Sequence, residues 1–341
     1  MPLETFCGKD MWSERMKRYI INRLITTIFI ILGAAVLIFT ILYFVPGDPA
    51  RIILGSEASE ADVLAKREIL GLTDSYFVRL GNFLKDTFLH FDLGTSWFTD
   101  VSVNQELAAR LPRTLFLGVM FVVVSSAIAI PLGISAAIHQ NKWQDRLCMV
   151  IAMVLTAVPN FWLALIMVLI FSLRLGWLPP FGMDSWQCFI LPVLAGSLQS
   201  IGNLARQTRA SMLNVTRSDF VVTARSKGVP ERKVILEHML PNALIPIITT
   251  IGGTFASCIA GTVIIEQVFS IPGIGTYMTN AVTTRDCPIV QGCVVVLAIF
   301  IALIMLAVDL IYAYVDPRIK AQYVVQSKKG GKGNRGWKKN S

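Results

Sequence analysis

The sequence predicts an all-α integral membrane protein of six transmembrane helices, with a small helical domain outside the bilayer after the first. Three observations carry this reading. The 341 residues are 54% hydrophobic and only 16% charged, a composition far from the soluble globular average. Six uncharged runs punctuate the chain, at 24–45, 114–138, 147–173, 189–205, 243–265 and 287–308. The Lys and Arg residues gather in alternate loops between those runs.

The elements follow in order. Residues 1–19 form a basic segment ahead of the first span, 20–45. They are not expected to be a cleavable signal peptide, because the first apolar run is span length and no small-residue cleavage site follows it. That span ends at "FVPGDPARIILG", where Pro46, Gly47 and Pro49 stop the helix and Asp48 can cap the next one. Residues 46–112 form a helical outer segment, with apolar residues three and four apart in "ADVLAKREILGL" and "YFVRLGNFLKDTFLHF". A five-helix core then occupies 113–314, and a basic tail, 315–341, closes the chain. Of the core runs, 189–205 has only 17 residues, against the roughly 20 a spanning helix needs. It includes Pro192, Gln199 and Asn203, yet dropping it leaves an odd number of spans and spoils the charge pattern.

Cytoplasmic loops carry the excess of positive residues, so Lys and Arg fix the orientation. With the N-terminus inside, 22 of the 31 Lys and Arg lie on the cytoplasmic side, and both chain ends are cytoplasmic. The outer segment, by contrast, mixes seven Lys and Arg with ten Asp and Glu. A net charge of +9 therefore needs no nucleic acid to explain it: basic residues beside spans are the ordinary topogenic signal, and the tail "KKGGKGNRGWKK" reads as a solvated basic end. The six cysteines show no CxxC or CxxH spacing and read as small buried hydrophobes, with Cys188 and Cys287 on the same outer side. His90, His139 and His238 have no ligand spacing, so no metal site is expected. No Ser/His/Asp or paired-carboxylate arrangement supports catalysis.

The one long inner loop, 206–245, can be read residue by residue. Ser218 or Asp219 is a candidate N-cap, a short helix runs through "FVVTARSK", and Gly228 takes the left-handed position after it. Pro230 opens a second helix, "ERKVILEHML", which is expected to break at Pro241 before the fifth span. Phe220 and Ala224 lie four apart on one face of the short helix, which is too small to be stable alone. Two readings stay open on pattern alone: an interfacial helix with its basic face on anionic lipid, or a projection to a soluble partner.

The loop also resembles something specific. "TARSKGVPERKVILEHMLPNALIP" is similar to the EAA loop of ABC importer permeases: Thr223, Ala224 and Arg225 take the small-residue triplet, Gly228 the glycine, and His238 to Pro241 the apolar-x-Leu-Pro close. Further stretches resemble the dipeptide, oligopeptide and nickel permease family in the right order. They include "PGDPA", "FDLGTS", "LPRTLFLG", "VPNFWLALI", "RQTRASMLNV", "EQVFSIPGIG" and "VDLIYAYVDPRIK", over about 17–320. Departures are small. Thr and Arg replace the outer letters of Glu-Ala-Ala, Ser75 replaces a usual Pro, and Ile271, in an outer loop bordering the substrate route, replaces a usual Trp.

The resemblance implies a type I ABC importer permease fold in the inner cell membrane. It implies half of a translocation pathway, shared with a second homologous permease subunit, two cytoplasmic ABC ATPase subunits and an extracytoplasmic substrate-binding protein. ATP and Mg would sit on the ATPases, with no cofactor on this chain. The absence of a GxxxxGK[ST] phosphate loop agrees, since hydrolysis is then expected on another chain. The implied ATPase-coupling residues are Phe220, Thr223, Ala224, Arg225, Gly228, Leu240 and Pro241. The cargo stays open between di- or oligopeptides and nickel, as a chelate; "NFWLA" and "WLPPFGMDSWQ" resemble the nickel branch somewhat more. Glu266, at the outer end of the fifth run, is the candidate pathway carboxylate, with a structural partner or hydrated rim as the alternative. Asp309 reads as a boundary anchor for a basic neighbour. From a different class, an ion-gradient-driven secondary transporter would need carboxylates or histidines along the spans. Apart from Glu266 and Asp309 at the edges, the runs contain none.

Overall fold

The computed structural model describes residues 4–55 and 57–315, with side chains over 20–310 apart from 56 and 245. The tail beyond 315, including "KKGGKGNRGWKK", lies outside the described residues. Helix α1 (Glu4–Phe44) carries the first span. It ends where Pro46 and Gly47 follow, and the Asp48 carboxylate accepts from the Ala50 amide at 3.1 Å to start α2 (Pro49–Leu54). Ser59 caps α3 (Glu60–Ile69) in the same way, accepting from Asp62 at 3.2 Å. The segment closes with α4 (Tyr76–Lys85) and a π turn, Asp86–His90. Asp48 also accepts two hydrogen bonds from Arg67, at 2.7 and 3.0 Å, so one side chain both caps α2 and ties α3 to it. The guanidinium holds that carboxyl below the usual carboxylate range.

The core consists of α5 (Val103–Ile138), α6 (Trp143–Ala157), α7 (Asn160–Met167), α8 (Ile190–Thr216), α9 (Asp219–Ser226), α10 (Glu231–Lys233), α11 (Leu240–Val268), α12 (Ile274–Thr284) and α13 (Cys287–Val315). Among the described residues five helices are long and apolar enough to cross a membrane. The bent pair α6 and α7 makes a sixth span if counted as one. The short, polar fourth run proves to be part of the best-covered candidate span, 31 residues from Trp186 to Thr216.

Two expectations are corrected. The third run is not one straight span: α6 and α7 meet at 98°. Pro159 causes the break, because the residue before proline is driven from the helical region, and Val158 sits extended at φ −84°, ψ 131°. Nor does the chain break at Pro241. A π segment, Val234–Met239, joins α10 to α11, and the Leu240 amide donates five residues back to the Ile235 carbonyl. That wider turn carries the helix past Pro241, which occupies the first turn of α11.

Helices α5 and α8 form the centre. Their close approach needs small residues, since a Cβ on Gly196 of α8 would lie 2.3 Å from the Phe121 ring and one on Gly133 of α5 would lie 2.6 Å from the Ala205 carbonyl of α8. Helix α1 stands at the edge, packed on α13. There Arg23 meets Asp309 at 3.0 Å, the boundary pair expected of Asp309. We call the end of the bundle bearing the 217–230 turn proximal, and the end bearing α2, α3 and α4 distal.

Candidate functional site

The proximal turn is built from α9 and the chain on either side of Gly228. Ser218 is the N-cap residue, with an extended backbone. Gly228 has φ +74°, the left-handed conformation that an L side chain resists, and its amide donates to the Arg225 carbonyl at 2.9 Å. Helix α9 then turns Val221 and Ala224 inward. Both join one buried cluster with Met212 of α8, Val234, Ile235 and Met239 of the π segment, and Ala243 and Ile247 of α11.

Phe220 and Ala224 do not share an environment, although the four-residue spacing placed them on one face. Ala224 is 7% exposed and packed on its own chain, while Phe220 is 41% exposed, beside Val222 at 55%. The inward face is centred between Val221 and Ala224, three apart, because α8 and the π segment approach from that side. Thr223 returns its hydroxyl to the Asp219 carbonyl at 2.8 Å. Arg225 reaches back across Gly228 to Glu231, at 2.6 and 3.1 Å, rather than standing free. This pairing raises the Arg225 pKa and lowers that of Glu231. Leu240 and Pro241 lie at the root of α11, Leu240 packed against the buried cluster and Pro241 exposed.

A second tie escaped the sequence. Asp145, at the start of α6, accepts from Arg209 of α8 at 2.5 and 2.7 Å and from the Asn141 amide at 2.9 Å, with its side chain only 4% exposed. The bent third span is thereby fastened to the helix that leads into the turn. The partners are 64 residues apart, and no spacing rule pairs them.

Within the bundle a groove of about 410 Å³ lies between α7, α8 and α11. Asn160, Gln199, Asn203, Thr250, Thr254 and Ser257 line it, and the Asn160 amide donates to Gln199 at 3.2 Å. Gln199 and Asn203 are the residues that weakened the fourth run as a span. Uncharged amides and hydroxyls in an apolar bundle were the signal that could have found this groove.

Glu266 stands apart from it. The side chain is 0% exposed, and its carboxylate accepts from the Thr114 hydroxyl at 2.6 Å and the Thr276 amide at 3.0 Å. Thr114 in turn accepts from the Ile274 amide at 2.9 Å, so one carboxylate clasps α5, α11 and α12. Gly273 and Gly275 leave room for it, since a Cβ on either would lie within 3 Å of its atoms. The carboxylate therefore meets groups of its own chain and not an opening. Ile271, expected at the border of the route, is likewise buried in the core. Cys188 and Cys287 are both free thiols. Among the described residues no group of three His, Cys, Asp or Glu side chains could hold a metal ion.

A polar groove inside a multi-pass helical bundle is the arrangement of a membrane transport subunit. Comparison with known proteins makes the class specific. The chain matches the family described as "Binding-protein-dependent transport system inner membrane component" over residues 129–321, and the N-terminal region of such components over 16–118. It belongs to that family.

It is 38% identical over 305 residues to a glutathione transport system permease protein, GsiC, of Salmonella typhimurium, covering 89% of this chain and 99% of that one. It is 37% identical over 333 residues to a dipeptide transport system permease protein, DppB, of Alkalihalophilus pseudofirmus, covering 89% and 100%. The fold matches the inward-facing MetNI methionine ABC transporter with a TM-score of 0.55 at 16% identity, over 62% of this chain and 97% of that one. The chain is thus a multi-pass inner-membrane permease subunit of an ABC importer with the type I permease fold. Such a subunit works with ATPase and substrate-binding partners, and ATP is hydrolysed on a separate chain.

Proposed function

We propose that this permease forms half of the translocation pathway of an importer for di- or oligopeptides. A second, similar permease would complete the groove, two cytoplasmic ATPases holding ATP and Mg would drive it, and an extracytoplasmic protein would deliver the cargo. The proximal end would then be cytoplasmic, as would both chain termini. The observation that carries the reading is the division of labour on α9. Its inner face packs through Val221 and Ala224 into one buried cluster with α8, the π segment and α11, while Phe220 and Val222 are 41% and 55% exposed among the described residues.

A helix held in this way cannot move without its spans. Closure of the ATPases on Phe220 and Val222 would displace α9 together with α10, the π segment and α11, rocking α11 against α8 along the polar groove. Arg225 would hold the turn rigid through Glu231, and Gly228 would set the angle between the two arms. The groove's amide and hydroxyl groups suit a peptide backbone, which offers donors and acceptors in alternation and need not be charged. The substrates named for the two relatives point the same way. Glu266 serves in this reading as a clasp that keeps the distal ends of α5, α11 and α12 in register.

The test is uptake by the assembled complex in sealed proteoliposomes. Labelled dipeptide should accumulate only with ATP and the binding protein. Accumulation of a nickel chelate but no peptide would reassign the cargo, and uptake without ATP under an ion gradient would sink the importer mechanism.

A further inference from the structure

Two adjoining cavities of about 260 and 450 Å³ open at the distal end, and both are lined by Leu42, Tyr43, Arg79, Trp97 and Cys287. Neither shares a lining residue with the polar groove. They lie between α1, α4 and the α12–α13 turn. Their depth follows from α4, whose Tyr76 hydroxyl meets the Thr40 hydroxyl at 2.7 Å and whose Phe83 ring lies 5.4 Å from Phe39. Phe39 is five residues inside the end of α1 at Phe44, about 7 Å along the helix axis. Helix α4 therefore packs beside the last turns of the apolar run 24–45, which puts the cavities level with the distal end of the first span, where headgroups would lie.

Their chemistry is that of an amphiphile site. Val45, Ile52, Val282 and Val290 supply apolar wall, and Trp97 is the residue type that settles at membrane interfaces. Beside Arg67, which is paired with Asp48, two further guanidiniums enter. Arg79 lies over the Tyr43 ring, 5.4 Å from its centroid, and Arg285 donates to the Pro46 carbonyl at 2.9 Å. Gly47 lets Arg285 approach, since a Cβ there would touch its Nη1. Neither arginine forms an ion pair among the described residues. Of the carboxylates in the lining, Asp48 is engaged by Arg67, and Asp74 remains as one charge against two.

We propose that this cleft binds an anionic phospholipid, its phosphate between Arg79 and Arg285 and its acyl chains against the distal part of α1, where Leu37, Ile41 and Phe44 are exposed. The lipid would wedge α4 against α1 and the α12–α13 turn, and so hold the distal segment to the bundle. The inference does not depend on the cargo or on which side of the membrane the distal end faces.

The assembled complex, purified and delipidated, would be placed in nanodiscs containing a photoreactive phosphatidylglycerol or its phosphatidylcholine counterpart. Crosslinks from phosphatidylglycerol are expected on the 37–45 and 282–290 peptides, with little from phosphatidylcholine. Arg79→Gln with Arg285→Gln should cut them about tenfold, the order expected for losing a charge-assisted hydrogen bond, while Arg79→Lys with Arg285→Lys, which also checks folding, should keep most of them. Equal labelling by both lipids, labelling unchanged in the double Gln variant, or labelling abolished when the binding protein docks would each overturn the proposal.

Discussion

Substitution of Gly228 tests the lever through its backbone alone, because none of the described residues lies within 4 Å of a Cβ built there. The cost must come from φ +74°. Alanine in the left-handed region costs about 1–2 kcal/mol, a factor of roughly 5–30 in the fraction of turns holding the native angle. Asparagine enters that region far more readily, so Gly228→Asn should cost less than Gly228→Ala. Proline cannot adopt the angle at all and deletes the amide that donates to Arg225 at 2.9 Å, so the penalty is about 3 kcal/mol or more. Peptide-stimulated ATP hydrolysis by the reconstituted complex should therefore fall in the order glycine, asparagine, alanine, proline. Membrane insertion, followed by yield and thermal unfolding of the spans, should stay near wild type. If asparagine and alanine abolished coupling as completely as proline, side-chain volume at the ATPase contact would be the operative quantity and the backbone argument would fail.

Asp145→Ala strips Arg209 of its buried partner and should destabilise the subunit by about 3–5 kcal/mol, read as a lower unfolding midpoint; an unchanged midpoint would show the pair to be dispensable. Gly196→Ala drives a methyl into the Phe121 ring and should cost about 1–3 kcal/mol, with Phe121→Leu in the same chain restoring part of it. Thr114→Val removes a donor from the buried Glu266 carboxylate and should cost about 1–3 kcal/mol, whereas Thr114→Ser should be close to neutral in the same measurement. The Arg225–Glu231 pair lowers the Glu231 pKa, so its contribution is complete above the unfolded value of about 4.3 and is lost as pH falls through the lower folded value. Both side chains are at least 40% exposed, which limits that contribution to below about 1 kcal/mol. Amide exchange in α9 should then be flat from neutral pH to about pH 5 and lose its acid dependence in Glu231→Gln, after correction for intrinsic rates.

The residues legible in the sequence are those governed by short-range rules. Asp48 and Ser59 cap their helices as their types demand, and the left-handed turn at Gly228 follows from glycine followed two residues on by proline. The apolar runs give the spans, because a chain in lipid must satisfy its backbone groups within each helix. The family was legible only as a resemblance of quoted motifs, in order along the chain, to a known family of permeases.

What only the tertiary structure decided depends on neighbours distant in sequence. Proline marks the chain at 159 and 241 alike, yet the first bends a span by 98° while the second is absorbed by a π turn whose residues Val234, Ile235 and Met239 are buried against α8 and α9. Periodicity made α9 amphipathic, but only the approach of α8 and the π segment turned Ala224 inward and left Phe220 outside. In the sequence Glu266 stayed open between a pathway carboxylate and a structural partner or hydrated rim, because no partner is visible beside it along the chain. Its partners, Thr114 and Thr276, arrive from other helices. The groove is the converse case: Asn160, Gln199 and Ser257 are separate polar residues in three helices, and packing alone makes them one surface. Helix identity is settled by hydrogen bonds within a few residues, whereas the direction a side chain faces is settled by which helices bury its neighbours.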